Sequence, residues 1–377
     1  MSKNIIDQRH INLCIFSPLE NAYSETFIKN HIVYLPFNKY VLHGVDLPGL
    51  SFKHKLLMPP TVFNRVRRKV MAKITGDELY MEKRRLITFL KQHKIDVVLA
   101  EYGHIGTLIY RSCKRLGIPL VVHFHGNDAS HRPTLELLKT EYSEMMAYAS
   151  SIISVSHAMT VRLQNLGADL SKIVYNCYGI DTKLFNESEK KWDAPTFVAV
   201  GRFVEKKAPH LTIAAFAMAK KDHPSIRLIM IGDGPLLEIC RQFVKAAHLT
   251  DSVDFAGIKT PEEVAGIVAG ALAFVQHSVI AGDGGAEGTP LAILEAGACG
   301  VPVISTRHEG IKDVVVENET GILVNEYDIE GMATAMGYLA ANRSVAQEMG
   351  KQARTHISNN FQLSRHIDVL AAAISNS

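Results

Sequence analysis

Short apolar runs punctuate the chain: INLCIFS (11–17), DVVLAEY (96–102), PLVVHFH (119–125), SIISVS (151–156), KIVYNC (172–177), TFVAVG (196–201), RLIMIG (227–232), VDFAG (253–257), LAFVQ (272–276) and VPVIS (301–305). Each reads as a strand that is apolar on both faces. Between them, apolar residues fall at helical spacing, as over 105–116, 208–221, 236–249 and 261–269. Nearly continuous apolar strands alternating with such helices describe α/β domains, each a parallel sheet covered on both sides. The polar stretch Asn186–Asp193 (NESEKKWD) interrupts the pattern halfway and is the expected linker. The expected division is a first doubly wound domain over 1–185, a second over 186–360, and a closing helix over 361–377 that returns to the first. Two such Rossmann-like domains would face a central cleft and hold a ligand at the carboxyl ends of their strands. Closure on that ligand would bend the chain near 186–195. No internal repeat or low-complexity segment is present.

One segment breaks the rhythm. Residues 53–94 carry 12 basic and 3 acidic side chains, and within them Val62, Val66, Val70 and Ile74 recur every fourth position among Arg65, Arg67, Arg68, Lys69 and Lys73. This predicts a basic amphipathic helix, which either docks on an anionic membrane surface or packs its valines on its own domain. Nucleic acid is not the expected partner, because no aromatic interleaving or binding motif accompanies the charge. The segment also explains an asymmetry hidden by the net charge of +3: residues 1–190 carry 25 Lys and Arg against 17 Asp and Glu, the remainder 16 against 21.

Composition adds little beyond an ordinary globular protein, with 47% hydrophobic and 21% charged residues. Cys14, Cys113, Cys177, Cys240 and Cys299 are scattered without a CxxC pair and read as reduced thiols. The polar start MSKNIIDQRH is no signal peptide, and no apolar run approaches membrane-spanning length. The expected location is the cytoplasm, peripheral at the inner face of the membrane.

The most specific chemistry lies in AEGTPLAILEAGACGVPVIST (286–306). Thr289 followed by Pro290 reads as a helix cap and first helical residue, with Leu291, Ile293 and Leu294 beginning a buried helix. Glu287 then sits in the loop above the helix, and Glu295 lies roughly 7–8 Å further along the axis at 1.5 Å per residue. An extended polar ligand suits this arrangement. Its anionic part would meet the free N–H groups of the helix start, and its hydroxyls the two carboxylates. A nucleotide-sugar has that shape; two solvated glutamates on a capped core helix are the plain alternative.

Further candidates gather at strand ends. Gly201-Arg202, with Lys206 and Lys207 following, can hold a diphosphate or form a solvated basic turn. Gly232-Asp233-Gly234-Pro235 allows a sharp turn or close backbone approach. His123-Phe124-His125-Gly126-Asn127-Asp128 closes a strand with both histidines on one side. His125 there is a sugar contact, a strand-end structural residue, or, with His123 and Asp128, a metal ligand. Gly179-Ile180-Asp181 with Phe185 reads as turn chemistry ending the first domain.

Taken together, these motifs resemble glycosyltransferase family 4, a group of retaining enzymes with the GT-B fold. The matching segments are the E-x7-E pair Glu287/Glu295, GRFVEKK (201–207), IGDGP (231–235), GID-xxx-F (179–185) and HFHGND (123–128). SETFI (24–28) and the loop GDGGAEGTP look like the subgroup that builds bacterial surface polysaccharides. The resemblance implies a nucleotide-sugar donor, UDP-linked before GDP-linked, and a glycan or lipid-linked acceptor. It implies that Glu287 and His125 contact the donor sugar at the reacting centre, that Arg202 and Lys207 bind the diphosphate, and that Glu295 binds the ribose. Backbone at Gly288, Thr289, Pro290 and Leu291 would face sugar and phosphates, and that near Gly234, Gly257 and Lys259 the nucleotide. No metal or other cofactor is implied. Two positions depart from the pattern. The loop SPLENAYSETF replaces a glycine-rich one, which puts Glu20, Asn21 and Ser24 on the acceptor side, and Ala208 stands where glycine is usual. A nucleotide-sugar epimerase or a noncatalytic nucleotide-sugar-binding partner are the competing readings. A glycosidase would place its carboxyls on either side of the bond, and a dehydrogenase would show GxGxxG after a strand.

Overall fold

A computed structural model describes residues 10–20, 25–187 and 194–377. The apolar runs form two sheets. The first contains β1 (Asn12–Ser17), β2 (Asn38–His43), β3 (Ser51–Phe52), β4 (Lys55–Leu56), β5 (Val97–Glu101), β6 (Leu120–His123), β7 (Ser151–Ser154) and β8 (Ile173–Tyr175). Their order is β4-β3-β2-β1-β5-β6-β7-β8, parallel from β2 to β8 with β3 and β4 antiparallel at one edge. The second contains β9 (Thr196–Val200), β10 (Arg227–Ile231), β11 (Val253–Gly257), β12 (Ala273–Gln276), β13 (Val303–Thr306) and β14 (Gly321–Val324), in the order β11-β10-β9-β12-β13-β14 and parallel throughout.

All ten expected strands are present, with ends moved by a residue or two. β5, β6, β12 and β13 are buried at every position, as strands covered on both faces must be. Four strands were not anticipated. β2 (NKYVLH) and β14 (GILV) hold only three consecutive apolar residues each. β3 and β4 meet at a tight turn in which Lys53 and His54 both take positive φ, a conformation usually advertised by Asn-Gly or Asp-Gly.

The chain clusters into two compact units: Met1–Ser154, Thr160–Asn176 and Ile367–Ser377 form one, Val155–Met159 and Cys177–His366 the other. The Gly179–Asp181 segment belongs to the second, where it is more than a turn. Ile180 forms a parallel bridge with Gln362, and a Cβ on Gly179 would lie 2.4 Å from the Gln362 carbonyl oxygen. Of the expected linker, residues 188–193 lie outside the described residues. The second unit's core joins Phe197, Ile213, Phe216, Leu228, Val275 and Met336. All five cysteines are buried free thiols.

The basic segment does form a helix, Val62–Thr75, capped by the Thr61 hydroxyl accepting from Asn64 N at 3.2 Å and closed by Gly76 at φ 70. Its apolar stripe is not packed on its own domain: Val62, Phe63, Val66, Val70 and Ile74 are 77, 71, 57, 50 and 71% exposed. Among the described residues, no helix is long and apolar enough to cross a membrane.

Candidate active site

In the second sheet the chain leaves β9 towards β10 and β11, then returns to the other side for β12, β13 and β14. The connections after β9 and β12 therefore turn to opposite sides, which makes the carboxyl ends of these two strands the switch point of the sheet. Gly201 begins the first loop at φ 155, and a Cβ there would lie 2.8 Å from Lys207 Cδ, so the lysine stem folds against a residue without a side chain. Lys207 Nζ donates to Gln276 Oε1 at 3.3 Å and stands 3.4 Å from Glu287 Oε1. Lys206 Nζ donates to the Ala286 carbonyl at 3.1 Å and stands 3.8 Å from the same carboxylate oxygen. Glu205 accepts from Gly282 N at 2.7 Å, stitching the two loops together. Arg202 is exposed, lines a small pocket with Gly201, Lys207 and Gln276, and has no ion-pair partner among the described residues.

The glutamates of the pair differ electrically. Burial alone would raise the Glu287 carboxyl, but the Lys206 and Lys207 ammonium groups outweigh it and hold it at about 2, so it is ionised. Burial raises Glu295 to about 7, with only Lys207 opposing. Burial lowers the Lys207 ammonium and Glu287 partly restores it.

Thr289 does not cap the helix as its sequence context suggests. Pro290 is the N-cap residue of Leu291–Ala298, while the Thr289 hydroxyl donates to the Val155 carbonyl at 2.7 Å. A tertiary bond has outcompeted the local one, and Glu295 becomes the fifth helical residue. Gly288 offers its carbonyl to Gly310 N at 3.0 Å. Gly234 packs on the Phe203 backbone, where a Cβ would lie 2.7 Å from the carbonyl oxygen, and Gly257 ends β11 and accepts from Gly232 N at 2.8 Å. Lys259 pairs with Glu263 on the surface at 3.3 Å. Ala208 sits at φ 34, ψ 54, a left-handed conformation that accounts for glycine being usual there.

His125 lies in the first unit, at the centre of a buried cluster. Glu101, ending β5, faces its register partner His123 on β6. The Glu101 carboxylate bonds His125 Nε2 at 2.9 Å and His31 Nδ1 at 2.7 Å, with His123 Nδ1 at 3.6 Å. Burial opposes ionisation of Glu101, but His31 and His125 overcome it and hold the group at about 2. Asp128 does not join the histidines: it accepts backbone N–H bonds from Gly103 (2.8 Å), His125 (3.0 Å) and Gly126 (3.0 Å) and fixes the loop. His31, Glu101 and His123 do converge as a metal set would. The 2.7 Å between His31 and Glu101 is a hydrogen-bond length, shorter than the roughly 3.3 Å kept by two ligands on a tetrahedral ion. Glu101 thus hydrogen-bonds His31 and His125, with His123 standing beside them at 3.6 Å. Of the acceptor-side candidates, Glu20 pairs with His54 at 2.9 Å, whereas Asn21 and Ser24 lie outside the described residues.

Residues 42–184 match the family model for glycosyltransferase family 4, and residues 181–356 that for glycosyl transferases group 1. The glycosyltransferase WcaL of Escherichia coli K12, named for colanic acid biosynthesis, is 30% identical over 274 residues, 71% of this chain and 67% of WcaL. The chain belongs to glycosyltransferase family 4. A second relative of this glycosyltransferase is the GDP-mannose-dependent alpha-(1-6)-phosphatidylinositol monomannoside mannosyltransferase of Mycolicibacterium smegmatis, 26% identical over 74% of the chain and 76% of that protein. The fold is GT-B: Anabaena HepE, solved in complex with UDP, superposes with a TM-score of 0.77 over 97% of this glycosyltransferase and 100% of HepE, at 15% identity.

Proposed function

We propose that this glycosyltransferase moves a sugar from a nucleoside-diphosphate donor, UDP-linked before GDP-linked, to a glycan or lipid-linked acceptor in surface polysaccharide synthesis. It does so with retention of configuration and without a metal. The observation that carries this reading is the ionised Glu287, clamped by Lys206 and Lys207 at the switch point of the second sheet, with the exposed Arg202 lining a pocket that Lys207 also lines. Glu287 Oε1 is buried and receives no hydrogen bond of normal geometry, so a sugar hydroxyl would complete it. Arg202 and Lys207 neutralise the charge that gathers on the departing diphosphate, the work a magnesium ion would otherwise do. The leaving phosphate assists attack on the same face of the sugar, and His125, oriented by Glu101, contacts the sugar. UDP-linked donors come first because HepE binds UDP at the matching fold. The competing epimerase would alter the sugar with no acceptor present, so product analysis without acceptor separates the two.

Glu295 supplies a pH test. A ribose diol donates to the carboxylate, and the free group is held at about 7, so binding below that pH must expel a proton. UDP-glucose, whose doubly esterified diphosphate keeps its charge across this range, is expected to bind roughly tenfold more weakly at about pH 6 than at about pH 8, with proton release visible by calorimetry in buffers of unlike ionisation enthalpy. Glu295→Gln should bind more weakly with a flat profile. A flat wild-type profile would remove Glu295 from the ribose site.

The exposed stripe of helix Val62–Thr75, rimmed by arginine and lysine, suits an anionic lipid surface that presents the acceptor. Arg68 also pairs with the buried Glu82 at 3.3 Å, so charge reversal belongs at Arg67 and Lys69 instead. Arg67→Glu with Lys69→Glu should weaken partitioning onto phosphatidylglycerol vesicles at least about 30-fold, at about 1 kcal/mol for each charge removed. Unchanged partitioning would end the membrane assignment.

A further inference from the structure

The loop that carries Glu287 is held at one backbone atom by a buried histidine. His308 follows β13, and its Nε2 accepts from Glu287 N at 3.2 Å. Its Nδ1 lies 2.6 Å from Glu326 Oε1, and the other Glu326 oxygen accepts from Ile280 N at 2.9 Å. An imidazole nitrogen that accepts from an amide carries no proton, so the proton sits on Nδ1 and is donated to Glu326. The approach of the two loops is close: a Cβ on Gly310 would lie 2.2 Å from the Gly288 carbonyl oxygen.

We propose that His308 is a positioning residue for sugar transfer, with Glu326 fixing its tautomer. Lys206 and Lys207 both pull on one oxygen of Glu287, through side chains long enough to follow it. The His308 bond supplies a fixed root, so the carboxylate stays where a sugar hydroxyl can meet it rather than drifting with the lysines. The nucleotide-facing groups Arg202 and Glu295 make no bond to His308, which separates its expected effect from nucleotide binding. The inference rests on the proposed contact between Glu287 and the donor sugar.

Two measurements test it. Ring-nitrogen NMR of histidine-labelled protein should show His308 protonated at Nδ1 and bare at Nε2; the opposite tautomer overturns the proposal without any donor. Kinetics then follow nucleotide release from whichever of UDP-glucose, UDP-galactose and GDP-mannose the wild type turns over. His308→Asn, too short to reach Glu287 N, should lose about tenfold or more in kcat/KM, since small misplacements at a reacting centre are costly, while its affinity for the free nucleotide stays near wild type. His308→Gln, whose carbonyl can stand where Nε2 stood, should recover most of that loss. Equal behaviour of the two variants, or nucleotide affinity falling in step with turnover, overturns the proposal. If His308→Asn does not fold, Glu326→Ala on the solvent side carries the same expected split, and wild-type kinetics there count against it. Glu287→Gln with wild-type kinetics would remove the underlying reading and leave the tautomer result standing. A damaged Glu287→Gln beside an intact His308→Asn would remove this inference alone.

Discussion

Arg202→Ala is expected to lower turnover by about 10²–10³-fold, the loss seen when one preorganised donor to developing charge is removed, about 2.7–4 kcal/mol. The side chain is exposed and has no ion-pair partner among the described residues, so thermal stability should stay within about 0.5 kcal/mol of wild type. Lys207 cannot cover the loss, because it already serves Glu287 and Gln276 and its ammonium is weakened by burial. Arg202→Lys should fall between, keeping the charge but losing the planar fork that grips two phosphate oxygens. A chelator should leave the wild-type rate unchanged. Full activity of Arg202→Ala would sink the phosphate assignment, and a chelator-sensitive wild type would sink the metal-free one.

Glu101→Ala should have the largest effect on stability. Removing one member of a buried charged cluster typically costs about 3–5 kcal/mol, because the partners are left behind without compensation. Here two imidazoles would lose their shared carboxylate. Urea denaturation measures the loss, and a change below about 1 kcal/mol would mean that the histidines satisfy one another. The pH dependence has a definite sign. The folded-state value of about 2 lies below the ordinary 4.5, so the carboxylate's contribution is complete above 4.5 and disappears as pH falls towards 2. Glu101→Gln should lack that segment of the stability curve.

The sheets were legible because parallel strands are buried on both faces and leave continuous apolar runs, whereas the short β2 and β14 and the hairpin turned by Lys53 and His54 leave no such mark. Glu287, Arg202 and Lys207 could be named as candidates because each lies in a local motif beyond a strand, and the structure brings Lys207 within 3.4 Å of Glu287. The partners that hold such residues could not. Glu101 stands 70 positions from His31 and 24 from His125, and His308 stands 18 from Glu326, distances across which only the fold connects them. A glutamate closing the otherwise apolar run VVLAE was the one available hint. Thr289 failed for a related reason: local cap chemistry cannot show that a hydroxyl will be claimed by Val155, 134 residues away.

The buried thiols have a practical consequence. Each cysteine is fully enclosed, and burial lifts Cys113 to about 12 and Cys240 to about 11, so the reactive thiolate is scarce at neutral pH. The native enzyme should therefore be silent to aromatic disulfide reagents, and colour should develop only as molecules open. A single cysteine placed on the surface, at Val66 for example, could then carry a dye with no competing label, turning the basic helix into its own reporter.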